Sequence, residues 1–271
     1  MRIAFAAIAL ATAFPAGAVS STPFAGDHIA VTLISESDAL VPGASAWLGL
    51  RLQHEPHWHT YWVNPGDSGL PTKLAWHLPD GFRAGDIAWP APKRFTLGEL
   101  YNFGYDGDVL LPVKVEVSPS AQPGSTVAVS VDAKWLVCEE QCIPGKATLT
   151  LDLPVRTQAT PDAATATLFA GARAAQPQAG AWKAVAQLAG ERIEVRVRGA
   201  DLGTGDGLDA YAENGKIVAN APPQIETRDG SVVLIFLKSD YFTALPKSLD
   251  LVLRPRDARA LRVHAFFPRG S

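Results

Sequence analysis

From His28 onward the dominant pattern is an alternation of apolar and polar positions with a period of two. That period places successive side chains on opposite faces of an extended backbone. It predicts strands at His28–Ser35, Ser45–His54, Trp58–Val63, Val109–Ser118, Ser125–Val137 and Lys146–Leu153. Turn chemistry separates them: Pro42-Gly43, Asn64-Pro65-Gly66-Asp67, Pro79-Asp80-Gly81 and Gln122-Pro123-Gly124. Arg156 to Gly180 breaks the pattern, being rich in Ala, Thr and Gln, with one short helix predicted over Asp162–Ala175 after Pro161. Alternation then resumes at Ala181–Leu188, Arg192–Val197, Ser231–Leu237, Leu249–Leu253 and Leu261–Phe266. The pattern predicts an all-β chain: one antiparallel β-sandwich over residues 19–155, a linker over 156–180 and a second, smaller β-sandwich over 181–271.

Composition agrees with this architecture. The 271 residues are 47% apolar and 19% charged, enough to bury a core and too apolar for a disordered chain. Glycine (23) and proline (21) are frequent, which suits short strands and turns better than long helices. A net charge of −3 with no basic stripe argues against nucleic acid as a partner. The first residues read as an export signal: Arg2, the apolar run Ile3 to Phe14, and Ala16-Gly17-Ala18 as a cleavage site, with the cut expected after Ala18. The apolar run is too short to cross a bilayer, and nothing later in the chain is a better candidate. The closing Phe267-Pro268-Arg269-Gly270-Ser271 carries no expected function.

Export changes the meaning of the only two cysteines, Cys138 and Cys142, because an oxidising compartment pairs them. Along Ser125 to Cys138, the residues Val127, Val129, Val131, Ala133, Trp135 and Val137 form the core-facing set. Cys138 then falls on the opposite face, with Asp132 and Lys134, and Cys142 extrapolates to that same face. Both side chains are expected to point away from the core, at the tip of a hairpin whose turn is Glu139-Glu140-Gln141. A five-residue loop gives a disulfide only about 2 kcal/mol of chain-entropy stabilisation. A small exposed ring is also easy to attack, so a redox tool is favoured over a structural staple, which stays open as the rival. No helix N-terminus is present to depress a thiol pKa, and Glu139 and Glu140 disfavour a thiolate, so a sluggish thiol is expected.

Other constellations are weaker. His54, His57 and His59 lie close together, but no carboxylate or cysteine stands at standard ligand spacing, so no metal is expected. Gly66-Asp67-Ser68-Gly69 resembles a protease nucleophile loop only in sequence, since a triad needs an oriented His and Asp. Trp58, Trp62, Trp76, Trp89 and Trp135 read as packing residues before they read as a sugar platform.

The segment Trp135-Leu136-Val137-Cys138-Glu139-Glu140-Gln141-Cys142-Ile143-Pro144 resembles the cysteine segment of the periplasmic N-terminal domain of the DsbD/ScsB thiol:disulfide interchange family. Three further blocks resemble it in the same order: His59 to Pro71, Trp89 to Phe95, and Asn102-Phe103-Gly104-Tyr105. The resemblance covers about residues 28 to 155, and 181–271 is similar, more weakly, to the extra β domain of the ScsB-like branch. It implies an immunoglobulin-like fold and a protein-disulfide reductase relay. Electrons would arrive from membrane-embedded and thioredoxin-like donor domains and pass to periplasmic disulfide-isomerase-like or thioredoxin-like acceptors. By this resemblance Cys142 forms the mixed disulfide with the partner and Cys138 resolves it. An aromatic cap loop at about Phe95 to Gly104 covers the pair, with Phe95, Tyr101 and Phe103 as shields and Tyr105 as a further partner-binding residue. Tyr61 and Asp67 are expected near the hairpin tip because their blocks frame it in the family.

The chain differs from the full-length family in lacking the membrane and thioredoxin-like domains, so it is expected to be a fragment or to use a separate donor chain. Its cysteine spacing is also shorter than in the DsbD branch, which favours ScsB-like partners. No cofactor beyond the thiols is expected, and the expected location is the periplasm, as an exported chain or as part of a membrane-anchored protein. Two rival readings remain: a non-enzymatic interaction protein with an inert disulfide, and a copper-binding envelope protein.

Overall fold

The structure, a computed structural model, describes residues 19–199, 202, 205 and 207–268. The export signal read at 1–18 and the last three residues lie outside them.

Two sheets build the first half. One has the order β1 (Phe24–Gly26), β2 (Ile29–Ser35), β3 (Ser45–His54), β9 (Asp108–Glu116), β6 (Arg83–Ile87). The other runs β11 (Cys142–Pro154), β10 (Thr126–Cys138), β4 (His59–Gly66), β8 (Leu100–Asp106), β7 (Lys93–Leu97). The short β5 (Lys73–His77) pairs with the middle of β10, and β4 takes over the same edge at Cys138. All these pairings are antiparallel. The alternating apolar sets of the two sheets meet face to face: Val31, Leu33, Leu48, Leu50, Leu52, Leu111, Val113 and Val115 oppose Val129, Val131, Ala133, Trp135, Val137, Leu149, Leu151 and Leu153. Each fully buried aliphatic side chain contributes roughly 1.5–3 kcal/mol, and this layer is the immunoglobulin-like sandwich expected.

The helix α1 (Ala163–Ala175) begins at Asp162, whose side chain accepts from the amides of Ala164 and Thr165, both at 3.0 Å. It does not hang free. Phe169 and Ala172 pack against Ile34 and Leu110, on the outer face of the first sheet. That cover explains why β2 is buried on both faces.

The second half is a seven-stranded sheet in the order β14 (Asp209–Ala212), β17 (Ser248–Arg254), β18 (Leu261–Phe266), β12 (Lys183–Ala189), β13 (Arg192–Arg198), β16 (Ser231–Leu237), β15 (Gln224–Arg228). A parallel pairing of β12 with β18 joins its two wings, so its layers are one continuous sheet rather than two separate ones. Residues from six of its strands gather into a single core, among them Ala210, Leu251, Val263, Ala186, Val195 and Leu234. Tyr211 and Val252 face the other way and join the core of the first half. The two halves therefore share packed surface.

Candidate redox site

The β10–β11 ladder is continuous over 13 paired positions and ends with Cys138 directly opposite Cys142. Residues directly opposite in an antiparallel ladder point to the same side. The two sulfurs are bonded at 2.03 Å. Glu139, Glu140 and Gln141 form the exposed tip. Behind the tip the Trp135 ring lies over Gly145, where an added Cβ would come within 2.3 Å of the ring. That cross-strand cover helps hold the register that brings the cysteines together.

The two cysteines differ sharply in exposure. Cys142 is exposed, whereas Cys138 is 1% exposed. The expectation that both side chains stand free in solvent is therefore corrected for Cys138. Its facing is nonetheless as read: the sandwich core takes Val137, not Cys138. What hides Cys138 is cover on the outer face, contributed by segments remote in sequence.

That cover can be traced across the sheet. His59 lies opposite Cys138 on one side and Asp106 on the other, and Tyr61 lies opposite Gly104. In the hairpin β7–β8, Gly104 pairs with Lys93 and Asn102 with Phe95. His59, Tyr61, Phe95, Asn102 and both cysteines thus share one face. Because Gly104 has no side chain, the sheet can close there: an added Cβ would fall 1.8 Å from the Thr60 carbonyl oxygen. The Phe95 ring stacks on the His59 ring, with centroids 4.3 Å apart and planes within 10°. Tyr61, 1% exposed, places its hydroxyl 3.6 Å from Cys142 Sγ. Gly69 seats the following loop against the Tyr61 ring, and Ser68 donates to Asn102 Oδ1 through its amide (3.0 Å) and its hydroxyl (2.9 Å).

The cap expected at Phe95 to Gly104 is therefore a β-hairpin with two distinct faces. Phe95 is on the cysteine face. Tyr101, Phe103 and Tyr105 have the opposite parity and lie on the other face. Phe103 is 1% exposed and packs edge-on against Tyr211 of the second half, so it is not a shield of the cysteines. Tyr105 is 5% exposed, donates to the Pro90 carbonyl at 2.8 Å and stacks on Trp89, so it offers a partner no surface. Tyr101 is half-buried, and its amide donates to Asp67 Oδ2 at 2.7 Å.

The electrostatics leave the thiols with little help. Burial pushes His59 down to about 4, and burial also lowers His54, so both imidazoles are neutral at pH 7. The Lys93 ammonium is paired with Asp106. Burial raises the Tyr61 phenol, so its hydroxyl stays protonated and able to donate. Among the described residues, the hydrogen bond to sulfur comes from Tyr61.

The remaining motifs resolve into structure. His54 engages the Gly107 carbonyl and Thr60 Oγ1, and His57 is exposed in a turn with φ of +74°. Among the described residues no three His, Cys, Asp or Glu side chains gather as a metal site. Ser68 of the protease-like loop is spent on Asn102. Asn102 and Gly104 fall inside the expected cap segment, but neither was given a role of its own there. The period-two signal for them exists in Leu100–Asp106, but it is short and interrupted by polar positions.

A paired-cysteine hairpin on an immunoglobulin-like sandwich defines a thiol:disulfide interchange domain. Residues 30–154 match the family model of "Thiol:disulfide interchange protein DsbD, N-terminal", and this segment is a DsbD/ScsB-type N-terminal domain. Among solved structures, the chain is similar to the N-terminal periplasmic domain of ScsB from Proteus mirabilis, with a TM-score of 0.69, 18% identity, and coverage of 93% of this chain and 99% of that one. This likeness establishes the fold across both halves. Domains 5–6 of the S-layer protein SbsC match at a TM-score of only 0.24 with 8% identity, covering 92% of this chain and 100% of that one, too low to carry an argument. No curated protein matches the chain. Among the described residues no helix is long and apolar enough to cross a membrane.

Proposed function

We propose that the chain is a periplasmic protein-disulfide reductase relay in which Cys142 exchanges with partner proteins and Cys138 resolves the intermediate. The observation that carries this reading is the unequal exposure of two opposed cysteines: one sulfur is presented and its mate is covered. In the reduced form the Cys142 thiolate attacks a partner disulfide, forming a mixed disulfide and releasing one partner thiolate. Cys138 then attacks Cys142 Sγ, restoring the intramolecular bond and releasing the second partner thiolate. Two electrons pass to the partner, which leaves as a dithiol. A thioredoxin-like dithiol donor reverses the sequence at the same sulfurs, so donor and acceptor bind in turn.

With no adjacent imidazolium and no helix N-terminus, Cys142 gains thiolate character mainly from the Tyr61 hydroxyl. Such a thiol is slow toward small disulfides in bulk solution and becomes effective when a docked partner supplies the orientation. The apolar leader at 1–18 and the family of residues 30–154 support a periplasmic setting. Residues 19–155 act as the redox domain, 156–180 as the connection and 181–271 as an accessory β domain.

The test is a pair of variants challenged with a disulfide-bonded thioredoxin-like acceptor. Cys142→Ala abolishes transfer, and Cys138→Ala accumulates a mixed disulfide visible on non-reducing gels. Normal turnover by Cys138→Ala would refute the assigned roles. A reduction potential far below about −300 mV would instead identify an inert staple.

A further inference from the structure

We infer that the C-terminal sheet fastens the cap hairpin over the cysteine pair, and that Arg94 is the positioning residue through which it does so. This rests on the proposed reading of β7–β8 as the cap.

Alternation in β7 sends neighbouring side chains to opposite faces. Phe95 faces the cysteines and stacks on His59, so Arg94 must face the opposite way. There its guanidinium donates from Nη1 to Asp209 Oδ1 at 2.6 Å and from Nη2 to the Ala210 carbonyl at 2.9 Å. It also lies over the Tyr211 ring at 4.9 Å and the Phe103 ring at 5.4 Å. The Arg94 side chain is 10% exposed. All three of its C-terminal contacts are successive residues of β14. The residue preceding β7 is tied as well, since Arg254 of β17 donates to the Pro92 carbonyl at 2.9 Å.

A second tie holds the loop that covers Tyr61. Asn64, 5% exposed, donates to the Ala212 carbonyl at 2.8 Å, and Asn220 donates to Asp67 Oδ1 at 2.9 Å. The same Asp67 carboxylate accepts from the Tyr101 amide in β8. Both segments that cover the cysteines are therefore held from behind by β14, β17 and the segment after β14.

On the cysteine side, the holding contact is a neutral ring stack between Phe95 and His59. On the far side it is a charged, largely desolvated fork with two hydrogen bonds and two aromatic faces. The hairpin's second strand, β8, is also laddered to β4, but of the two side-chain attachments of β7 the remote one is the stronger. Lifting Phe95 off His59, the residue opposite Cys138, requires β7 to tilt, and tilting β7 withdraws Arg94 from β14. Access to Cys138 is thereby coupled to the seam between the two halves.

The test uses the full chain carrying Cys142→Ala, in which Cys138 is the sole thiol and its alkylation by iodoacetamide reports opening of the cap. Arg94→Met is expected to raise the alkylation rate at least roughly tenfold, since it removes both charge-assisted hydrogen bonds from the closed state and either one alone is worth about that factor. Amide exchange should rise across Lys93–Asp106 and stay unchanged across β2 and β3. Asp209→Asn, at a half-exposed carboxylate that the core does not need, should give a smaller increase in the same direction. It keeps the test valid if Arg94→Met folds poorly. Phe95→Ala provides the control. If Phe95→Ala accelerates alkylation while Arg94→Met and Asp209→Asn leave rate and exchange unchanged, the coupling is overturned and the cap stands. If Phe95→Ala also changes nothing, the cap reading itself fails.

Discussion

Replacing Tyr61 with Phe removes one hydroxyl and keeps a ring that is almost wholly buried. The ring packs against Gly69 and edge-on to His59, and neither contact needs the oxygen. What is lost is the donor 3.6 Å from Cys142 Sγ, together with the hydroxyl's contact with the Ser68 side chain. Burial raises the Tyr61 phenol, so at neutral pH it is protonated and donates to a thiolate. A hydrogen bond to a charged acceptor is worth about 1.5–3 kcal/mol, and the long contact to sulfur places this one at the low end. At 1.36 kcal/mol per pH unit, the Cys142 thiol should rise by about one unit in Tyr61→Phe. Near pH 7 that leaves roughly a tenth of the thiolate. The assay is thiolate absorbance against pH in a Cys138→Ala background, so that Cys142 titrates alone. Disulfide transfer at neutral pH should fall in step and recover at alkaline pH. An unchanged thiol titration in Tyr61→Phe would refute the claim that this hydroxyl stabilises the attacking sulfur.

Two further outcomes follow from the same site. His59 is held at about 4 by burial against an unfolded value near 6.5, so between those values the unfolded chain binds a proton that the folded chain refuses. Stability should therefore drop as pH falls from about 6.5 to about 4 and level off below; His59→Phe should flatten that part of the Tm–pH profile, and a profile unchanged by the substitution would contradict the assignment. Gly104→Ala forces a methyl to 1.8 Å from the Thr60 carbonyl oxygen, so β4 and β8 must separate. A loss of more than about 2 kcal/mol is expected in denaturant melts, with faster Cys138 alkylation when Gly104→Ala is placed in the Cys142→Ala background, and a wild-type melting curve would show that the close approach is absent.

The long strands and the cysteine hairpin were legible because their apolar sets run unbroken: Val127 to Val137 and Leu149 to Leu153 specify both core face and register. The helix at Ala163–Ala175 was legible from the Ala-rich run that follows Pro161, and the structure adds that Asp162 caps it. The strands β5, β6, β7, β14 and β15 were not, because each has four or five residues with mixed polarity. The burial of Cys138 was hidden for a different reason. Alternation tells which face a side chain occupies, not whether a remote segment lies over that face. The same parity rule separates Phe95 from Phe103 and Tyr105 once β7 and β8 are recognised as paired strands. Arg94 and Asn64 gave no signal at all, since their partners belong to β14, more than a hundred residues onward.

Among the described residues strand β14 pairs with β17 alone, and β17 in turn pairs with β18. A chain emerging from its N-terminus therefore delivers the Arg94 socket late, whereas Cys138 and Cys142 meet across a loop of three residues as soon as their hairpin zips. In a chain that folds from its N-terminus, the Cys138–Cys142 ring can therefore close before the strand that latches the hairpin above it has found its place.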